Sequence, residues 1–516
     1  MTSFGLRVHQ TVGLWPSLVL SLLAGAVLPF AFAPYHVTWL APVALSILFA
    51  LWSRSDKRGV MLQGYLFGLG MFTAGIYWVY ISIHQFGHVP LGMSIFLCVL
   101  FIAFLAIFPT LAAYLYFRLR SYVGPGAQLL GLPAIWVLVE WVRGWFLTGF
   151  PWLAVGYSQT TGPLAGVAPV LGVYGLSWVV AQIAVLIVVV MVGLQWRRSA
   201  LGMLVLIVAA GMGLGQIEWT HPVSGPIKVS LVQGNIPQDI KWLPSVRKPT
   251  LELYRELTLD HWDSDLIIWP ESAVPMFLDE AKPFLDELGR EARAHNADLL
   301  TGIIAEDRHS GQYYNTVIAL GDDSGMYAKR HLVPFTEYLP LKSILGSIVA
   351  FMDVPMSDFS AGDAGQAPLS AAGIAVGVSI CYEDAFGEEM IDRLPVANVL
   401  VNVSNDAWFG GSVAPWQHLQ MAQMRALETG RPMLRATNTG VTAIVAADGH
   451  IQAAAPQFKA AVLTGQVQPR QGMTPYAYWG NAPVVAILLA ILCGLAVARC
   501  RAGARESLVT DEGGHP

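Results

Sequence analysis

Seven apolar runs fill the first 216 residues of this 516-residue chain, near 14–32, 37–52, 60–82, 91–116, 128–146, 171–194 and 199–215. An eighth lies near 480–498. Most match the ~20 residues a helix needs to cross a bilayer, the second being short. Charge follows the opposite pattern. Of 65 charged residues, 48 fall within 217–482, 18 of them basic and 30 acidic. The whole chain is only 13% charged, against about 25% in soluble proteins, so it cannot fold as one water-soluble body. The expected organisation is a membrane domain over 1–220 with seven transmembrane helices, a soluble domain over 226–470, an eighth transmembrane helix over 478–503 and a tail over 504–516. The acidic balance of the middle argues against a nucleic-acid partner, because phosphate binding needs basic surface.

Basic residues set the orientation, since short cytoplasmic loops collect Lys and Arg. Arg54, Lys57 and Arg58 follow the second run, Arg118 and Arg120 the fourth, Arg197 and Arg198 the sixth, and Arg499, Arg501 and Arg505 the eighth. The turns Ala33–Val37 and His84–Pro90 carry no Lys or Arg. Both termini are therefore expected in the cytoplasm and the soluble domain outside. Arg7, the first run and Ala31-Phe32-Ala33 imitate a secretory signal. Pro34 would directly follow the cut and a second run comes at once, so an uncleaved helix is expected.

The soluble part changes periodicity. Short β-branched runs recur at Val229–Gln233, Leu266–Trp269, Leu299–Ile304, Thr316–Leu320, Ile374–Ile380, Val399–Val403 and Val441–Val445, with helical patterns near 246–262, 280–295 and 414–429. Alternating strands and helices predict an α/β domain. Leu266-Ile267-Ile268 and Val399-Leu400-Val401 are apolar on both faces, as central strands should be. Reactive groups in such folds sit just past strand ends. Three ends stand out: Trp269-Pro270-Glu271, Tyr327-Ala328-Lys329 and Ile380-Cys381-Tyr382-Glu383. Of four cysteines, Cys98, Cys493 and Cys500 belong to membrane helices or their ends, leaving Cys381 alone outside. A cysteine at a strand-to-helix elbow faces backbone N–H groups and a positive dipole end, which lower a thiol pKa. A carboxylate as base and a lysine for an oxyanion would complete a covalent acyl-transfer set. Taken singly, Glu271 could be an acid near a helix start, Lys329 an edge-strand lysine and Cys381 a core filler.

The three segments together resemble the Glu–Lys–Cys signature of the nitrilase, or carbon–nitrogen hydrolase, superfamily. The likeness is closer to a membrane-bound branch, the apolipoprotein N-acyltransferases. It is carried by Val232-Gln-Gly-Asn-Ile-Pro-Gln238 with Trp242, Leu332-Val-Pro-Phe-Thr-Glu337-Tyr-Leu-Pro340, Asn402-Val-Ser-Asn-Asp-Ala-Trp-Phe-Gly410, Gln417-His418, Arg425-Ala-Leu-Glu428, Arg431-Pro432 and Asn438-Thr-Gly440. In the membrane block, Glu140-Trp-Val-Arg143 and Gly149-Phe-Pro-Trp152 also fit. One departure is Thr336, where glycine would be expected, a change that bears on the loop's backbone angle.

The resemblance implies a polytopic α-helical membrane domain of eight transmembrane helices plus an extracytoplasmic αββα sandwich. It implies acyl transfer from a membrane phospholipid to the α-amino group of a diacylglyceryl apolipoprotein, the last step of bacterial lipoprotein maturation. The enzyme would be a monomer in the inner membrane with its catalytic domain in the periplasm. Glu271 would be the base, Cys381 the nucleophile, and Lys329 with the Tyr382 N–H the oxyanion site. Glu337 and Glu383 would orient Lys329 or Glu271. Trp242, Tyr382, Trp408 and Phe409 would wall the pocket. Glu140 and Arg143 would either close a helix end as an ion pair or meet a lipid head group.

No Cys/His cluster with zinc spacing and no phosphate-binding glycine motif appears, so neither metal nor cofactor is expected. His418, within a helical stretch, is expected as a buried, hydrogen-bonded histidine. The apolar segment 338–360 suggests a lid dipping into the outer leaflet. Two other functions compete: an amidase hydrolysing a small amide, which would need at most one anchor, and a non-catalytic lipoprotein receptor, against which the intact trio speaks.

Overall fold

A computed structural model describes residues 13–120, 125–192, 195–339 and 358–512. Most of the expected lid, 340–357, lies outside the described residues. All eight apolar runs contain helix: Leu14–Val27, Leu40–Trp52, Lys57–Ile76, Leu91–Leu105 continued by Ile107–Arg120, Pro125–Arg143, Ala168–Met191, Arg197–Leu214 and Ala482–Glu512. Among the described residues, five stretches, 14–31, 57–76, 91–120, 165–191 and 197–214, are long and apolar enough to cross a membrane. Large apolar side chains lie on their outer faces: Trp15 is 77% exposed, Phe96 60% and Val205 70%. A water-facing surface would not carry such a belt, and the protein is a membrane protein. Lys57–Ile76 begins where the Asp56 carboxylate accepts from the Gly59 N–H at 2.8 Å, a cap on free helix donors. This helix meets Leu14–Val27 through glycine: a Cβ on Gly70 would lie 2.2 Å from the Leu22 carbonyl oxygen. Small residues permit such close packing within a bilayer.

The described residues of 217–482 fold as two stacked sheets, with a two-stranded pair, Thr220–Pro222 and Arg470–Gly472, beside them. One runs in the order Ala461–Val467, Ile227–Gln233, Leu266–Ile268, Asp298–Asp307, Gln312–Leu320, Gly325–Ala328, with Val274–Phe277 also paired to Asp298–Asp307. The other runs Ile451–Ala454, Ala443–Val445, Met433–Thr437, Val399–Ser404, Ile374–Ile380, Leu369–Ala371. Each sheet has three parallel strands at its centre. Between the sheets lie Leu266 and Ile268 from one and Val376, Val378, Val399 and Val401 from the other. Ile267 and Trp269 point the opposite way, onto the helices Pro244–Leu259 and Leu278–Ala294. Alternate residues of one strand thus enter different cores, and the αββα sandwich follows.

The helix Ala414–Thr429, which covers the second sheet, is buried on all sides. Leu419, Ala422 and Ala426 pack on the sheet, while Met421, Met424 and Leu427 join the core of the membrane helices. Polar pairs fix this seam. Gln417 accepts from the Trp152 indole at 2.7 Å, and Gln420 accepts from the Ala33 N–H at 3.0 Å.

Glu140 and Arg143 lie at the C-terminal end of the helix Pro125–Arg143. Both are buried, and each holds the irregular loop after their own helix. Arg143 Nη1 donates to the carbonyls of Phe150 at 2.5 Å and Trp152 at 2.6 Å. Glu140 accepts from the Val155 N–H at 2.9 Å. A loop at this depth has backbone groups that water cannot satisfy, so charged side chains do so.

Candidate active site

Glu271, Lys329 and Cys381 leave their strands on one side of the sandwich and converge. Lys329 Nζ lies 3.9 Å from Glu271 Oε1 and 2.8 Å from Glu337 Oε2. The Asn315 amide donates to Glu271 Oε1 at 2.7 Å and to Glu337 Oε1 at 3.2 Å. Glu271 fits because Gly302 on the neighbouring strand has no side chain: a Cβ there would stand 2.4 Å from the Ser272 nitrogen. Thr336 costs the loop nothing. The left-handed angle falls on Phe335, with φ +63°, while Glu337 Oε2 accepts from the Val333 N–H at 2.8 Å.

Cys381 is partly exposed and takes φ +52°, the strained elbow that turns a side chain off a strand end. The expected lowering of its thiol pKa does not occur. The helical turn that follows, Cys381–Ala385, has only five residues, too short for a strong dipole. Burial pushes the thiol well up, the Glu271 charge adds to this, and Lys329 opposes it. Burial also raises Glu271, with Lys329 pulling down and Glu337 pushing up. For Lys329, burial disfavours the charge, but Glu337, Glu271 and Cys381 outweigh it and keep the ammonium firmly protonated. A neutral thiol therefore faces a carboxylate made more basic by burial and a fixed cation. That arrangement favours moving one proton from sulfur to oxygen as a new bond forms.

Glu383 does not orient Lys329 or Glu271 directly. It accepts from the backbone N–H groups of Ile380 at 2.7 Å, Arg330 at 2.7 Å and His331 at 3.2 Å, and from the Tyr327 hydroxyl at 2.8 Å. It ties the cysteine elbow to the strand end that carries Lys329. The Tyr382 hydroxyl reaches the membrane domain, donating to the Gly149 carbonyl at 3.1 Å. Its ring stacks near Trp152, with centroids 6.3 Å apart. Phe409 packs edge-on to Trp78 at 4.8 Å, and Trp408 to Phe86 at 5.1 Å. Trp242 is half-buried beside Lys241.

Under the elbow lies a network that the sequence reading saw only through His418. That histidine is buried and hydrogen-bonded, as expected. It spans Asp384 Oδ1 and Asp406 Oδ1, both at 2.9 Å. Arg435 pairs with Asp384 at 2.8 Å and Asp406 at 3.0 Å. Burial and Arg435 oppose charging His418, but the two aspartates push it up to about 9. Burial disfavours the Asp406 charge, yet Arg435 and His418 hold that carboxyl well below its usual range. The network holds the cysteine's main chain: Asn402 Nδ2 donates to the Cys381 carbonyl at 3.1 Å, and Asn402 Oδ1 accepts from Arg435 at 2.6 Å. An arginine inside the apolar run Met433–Thr437 was the available signal, since a buried charge needs partners. Among the described residues, no group of three or more His, Cys, Asp or Glu could hold a metal ion.

Two family models match the chain: "Apolipoprotein N-acyltransferase N-terminal domain" over residues 24–186 and "Carbon-nitrogen hydrolase" over 228–476. The apolipoprotein N-acyltransferase of Methylococcus capsulatus is 46% identical, over 95% of this chain and 97% of its own. The enzymes of that name from Nitrosomonas europaea and Azotobacter vinelandii are each 44% identical. They cover 92% and 95% of this chain and 96% of their own lengths.

Proposed function

Because the chain belongs to the apolipoprotein N-acyltransferase family, we propose that it moves an acyl chain from a membrane phospholipid to the α-amine of a lipoprotein's diacylglyceryl-cysteine, through a thioester on Cys381. The observation that carries this reading is the convergence of Glu271, Lys329 and the Cys381 thiol, seated directly on the membrane domain. An active site joined to lipid-facing helices suits a donor that never leaves the bilayer. A small-amide amidase has no need of that seam.

In the first half-reaction Glu271 takes the thiol proton as sulfur bonds to the ester carbonyl carbon. The oxyanion is met by the Lys329 ammonium and the Tyr382 N–H. The carbon–oxygen bond to glycerol then breaks, the leaving oxygen takes the proton from Glu271, and a lysophospholipid departs. In the second, the lipoprotein amine attacks the thioester and passes its proton to Glu271. The carbon–sulfur bond breaks, and the thiolate recovers that proton. Glu337 holds Lys329 in place, and Glu383 holds the elbow. Trp242, Tyr382, Trp408 and Phe409 line the approach for acyl chain and acceptor.

Eight membrane-crossing helices, cytoplasmic termini and a periplasmic sandwich in the inner membrane complete the reading. They rest on the basic residues after each even-numbered helix. The enzyme acts as a monomer and without a cofactor. Intact-mass and peptide mass spectrometry of the purified protein tests the chemistry. A long-chain acyl adduct on Cys381 is expected, discharged by a diacylglyceryl-cysteinyl peptide. A stable protein with no adduct after incubation with phospholipid would overturn the covalent route.

A further inference from the structure

Lys241 lies in the turn between the strand Ile227–Gln233 and the helix Pro244–Leu259, and only 2% of it is exposed. Its ammonium donates to the main-chain carbonyl of Glu271 at 3.1 Å. The turn is pinned in place. The Lys241 N–H donates to the Pro237 carbonyl at 3.1 Å. Asn438 receives the Ile236 N–H at 2.9 Å and donates to the Ile236 carbonyl at 2.7 Å. A lysine is among the costliest groups to bury unless paired, and this one is carried to the backbone of the proposed base.

We propose that Lys241 is a positioning residue for the acyl transfer: its buried ammonium fixes the strand-end turn bearing Glu271 and supplies, besides Lys329, a second cation near that carboxylate. The inference rests on Glu271 being the base. The groups facing Glu271 are then Lys329 at 3.9 Å, the Asn315 amide at 2.7 Å, the like charge of Glu337, the Cys381 thiol and Lys241. Two cations oppose burial and one neighbouring carboxylate, and so favour the ionised form of the base. Burial pulls Lys241 down to about 8, and the charge that faces it and opposes this is Glu271. The pair is thus mutually dependent: below that pH the lysine is charged and supports the carboxylate.

The test follows the rate of thioester formation on the full-length protein in mixed detergent–phospholipid micelles across pH 5 to 9. Lys241→Met, Lys241→Gln and Lys241→Arg are compared with the parent and with Glu271→Gln. The glutamine can keep the hydrogen bond to the Glu271 carbonyl but has no charge. Losing a nearby opposite charge raises a carboxyl pKa by about one unit or more. The acidic limb of the profile should therefore move up by about that much in the Met and Gln variants, a roughly tenfold loss near pH 5 to 6 that closes at higher pH. The arginine should restore the parental limb. A loss by the same factor at every pH, or an unmoved limb in Lys241→Gln, would overturn the proposal and leave Lys241 a packing residue. If Lys241→Met does not fold, the Gln and Arg pair decides the question. Full activity in Glu271→Gln would instead overturn the assignment of the base itself.

Discussion

The side-chain amide of Asn315 donates to Glu271 Oε1 at 2.7 Å and, through the same nitrogen, reaches Glu337 at 3.2 Å. One neutral residue thus lies between two carboxylates that share the Lys329 ammonium. Its donation favours the ionised form of Glu271, against burial. A hydrogen bond to a charged group is worth about 1.5–3 kcal/mol. Asn315→Leu should therefore slow thioester formation by roughly 10- to 100-fold at neutral pH, with the parental fold retained. Single-turnover acylation with a phospholipid donor reads this directly. A parental rate in Asn315→Leu would remove the amide from the account.

In the proposed mechanism Lys329 has a place in both half-reactions, whereas Glu337 acts only by holding it. Lys329→Met should slow acylation and transfer to the amine alike, each by roughly 10²- to 10³-fold, as loss of one oxyanion donor does. Glu337→Gln keeps the volume and one acceptor, so a smaller loss is expected. Pre-forming the thioester and then adding the acceptor peptide separates the two steps. A Lys329→Met protein that acylates normally would show that the ammonium does not meet the oxyanion.

Much of this arrangement could be read from the chain, and the reason lies in burial. Leu266-Ile267-Ile268 is apolar on both faces because it lies between two cores, and Glu271 follows it in a short, stiff turn. The strand Ala461–Val467 was not legible. It is only half-buried, and it pairs with Ile227–Gln233, more than two hundred positions earlier. Asn315 and Lys241 escaped for a similar reason. Asn315 is placed by its hydrogen bonds to Glu271 and Glu337 and Lys241 by its bond to the Glu271 carbonyl, all distant in sequence, and local pattern records no such contact. The expectation of a lowered thiol pKa failed because a strand-to-helix elbow in sequence proved to be one short turn in a buried place.

His418 should make stability depend on pH. Its folded-state pKa of about 9 lies above the unfolded value of 6.5. Its contribution is therefore complete below about pH 6.5 and is lost as pH rises through 9. A shift of this size corresponds to roughly 3 kcal/mol. Thermal unfolding in detergent should show the melting temperature of the parent falling across that window. In His418→Gln the curve should start lower and be flatter. Parallel curves for the two proteins would mean that His418 is neutral in the folded state and that Arg435 alone balances Asp384 and Asp406.

The last prediction concerns sidedness. Arg58 is exposed at the start of the helix Lys57–Ile76, and Ser310 is exposed in the turn joining the strands Asp298–Asp307 and Gln312–Leu320. The basic residues near 54–58 assign the first position to the cytoplasm. An odd number of crossings between the two would then carry the second to the opposite side. Single cysteines at these positions, in a background with Cys98, Cys381, Cys493 and Cys500 all replaced, make the comparison with a membrane-impermeant maleimide. Ser310→Cys should label in cells whose outer membrane alone is opened, and Arg58→Cys only after the inner membrane is disrupted. The reverse order would turn the sandwich toward the cytoplasm and separate Cys381 from acceptors that have crossed the membrane.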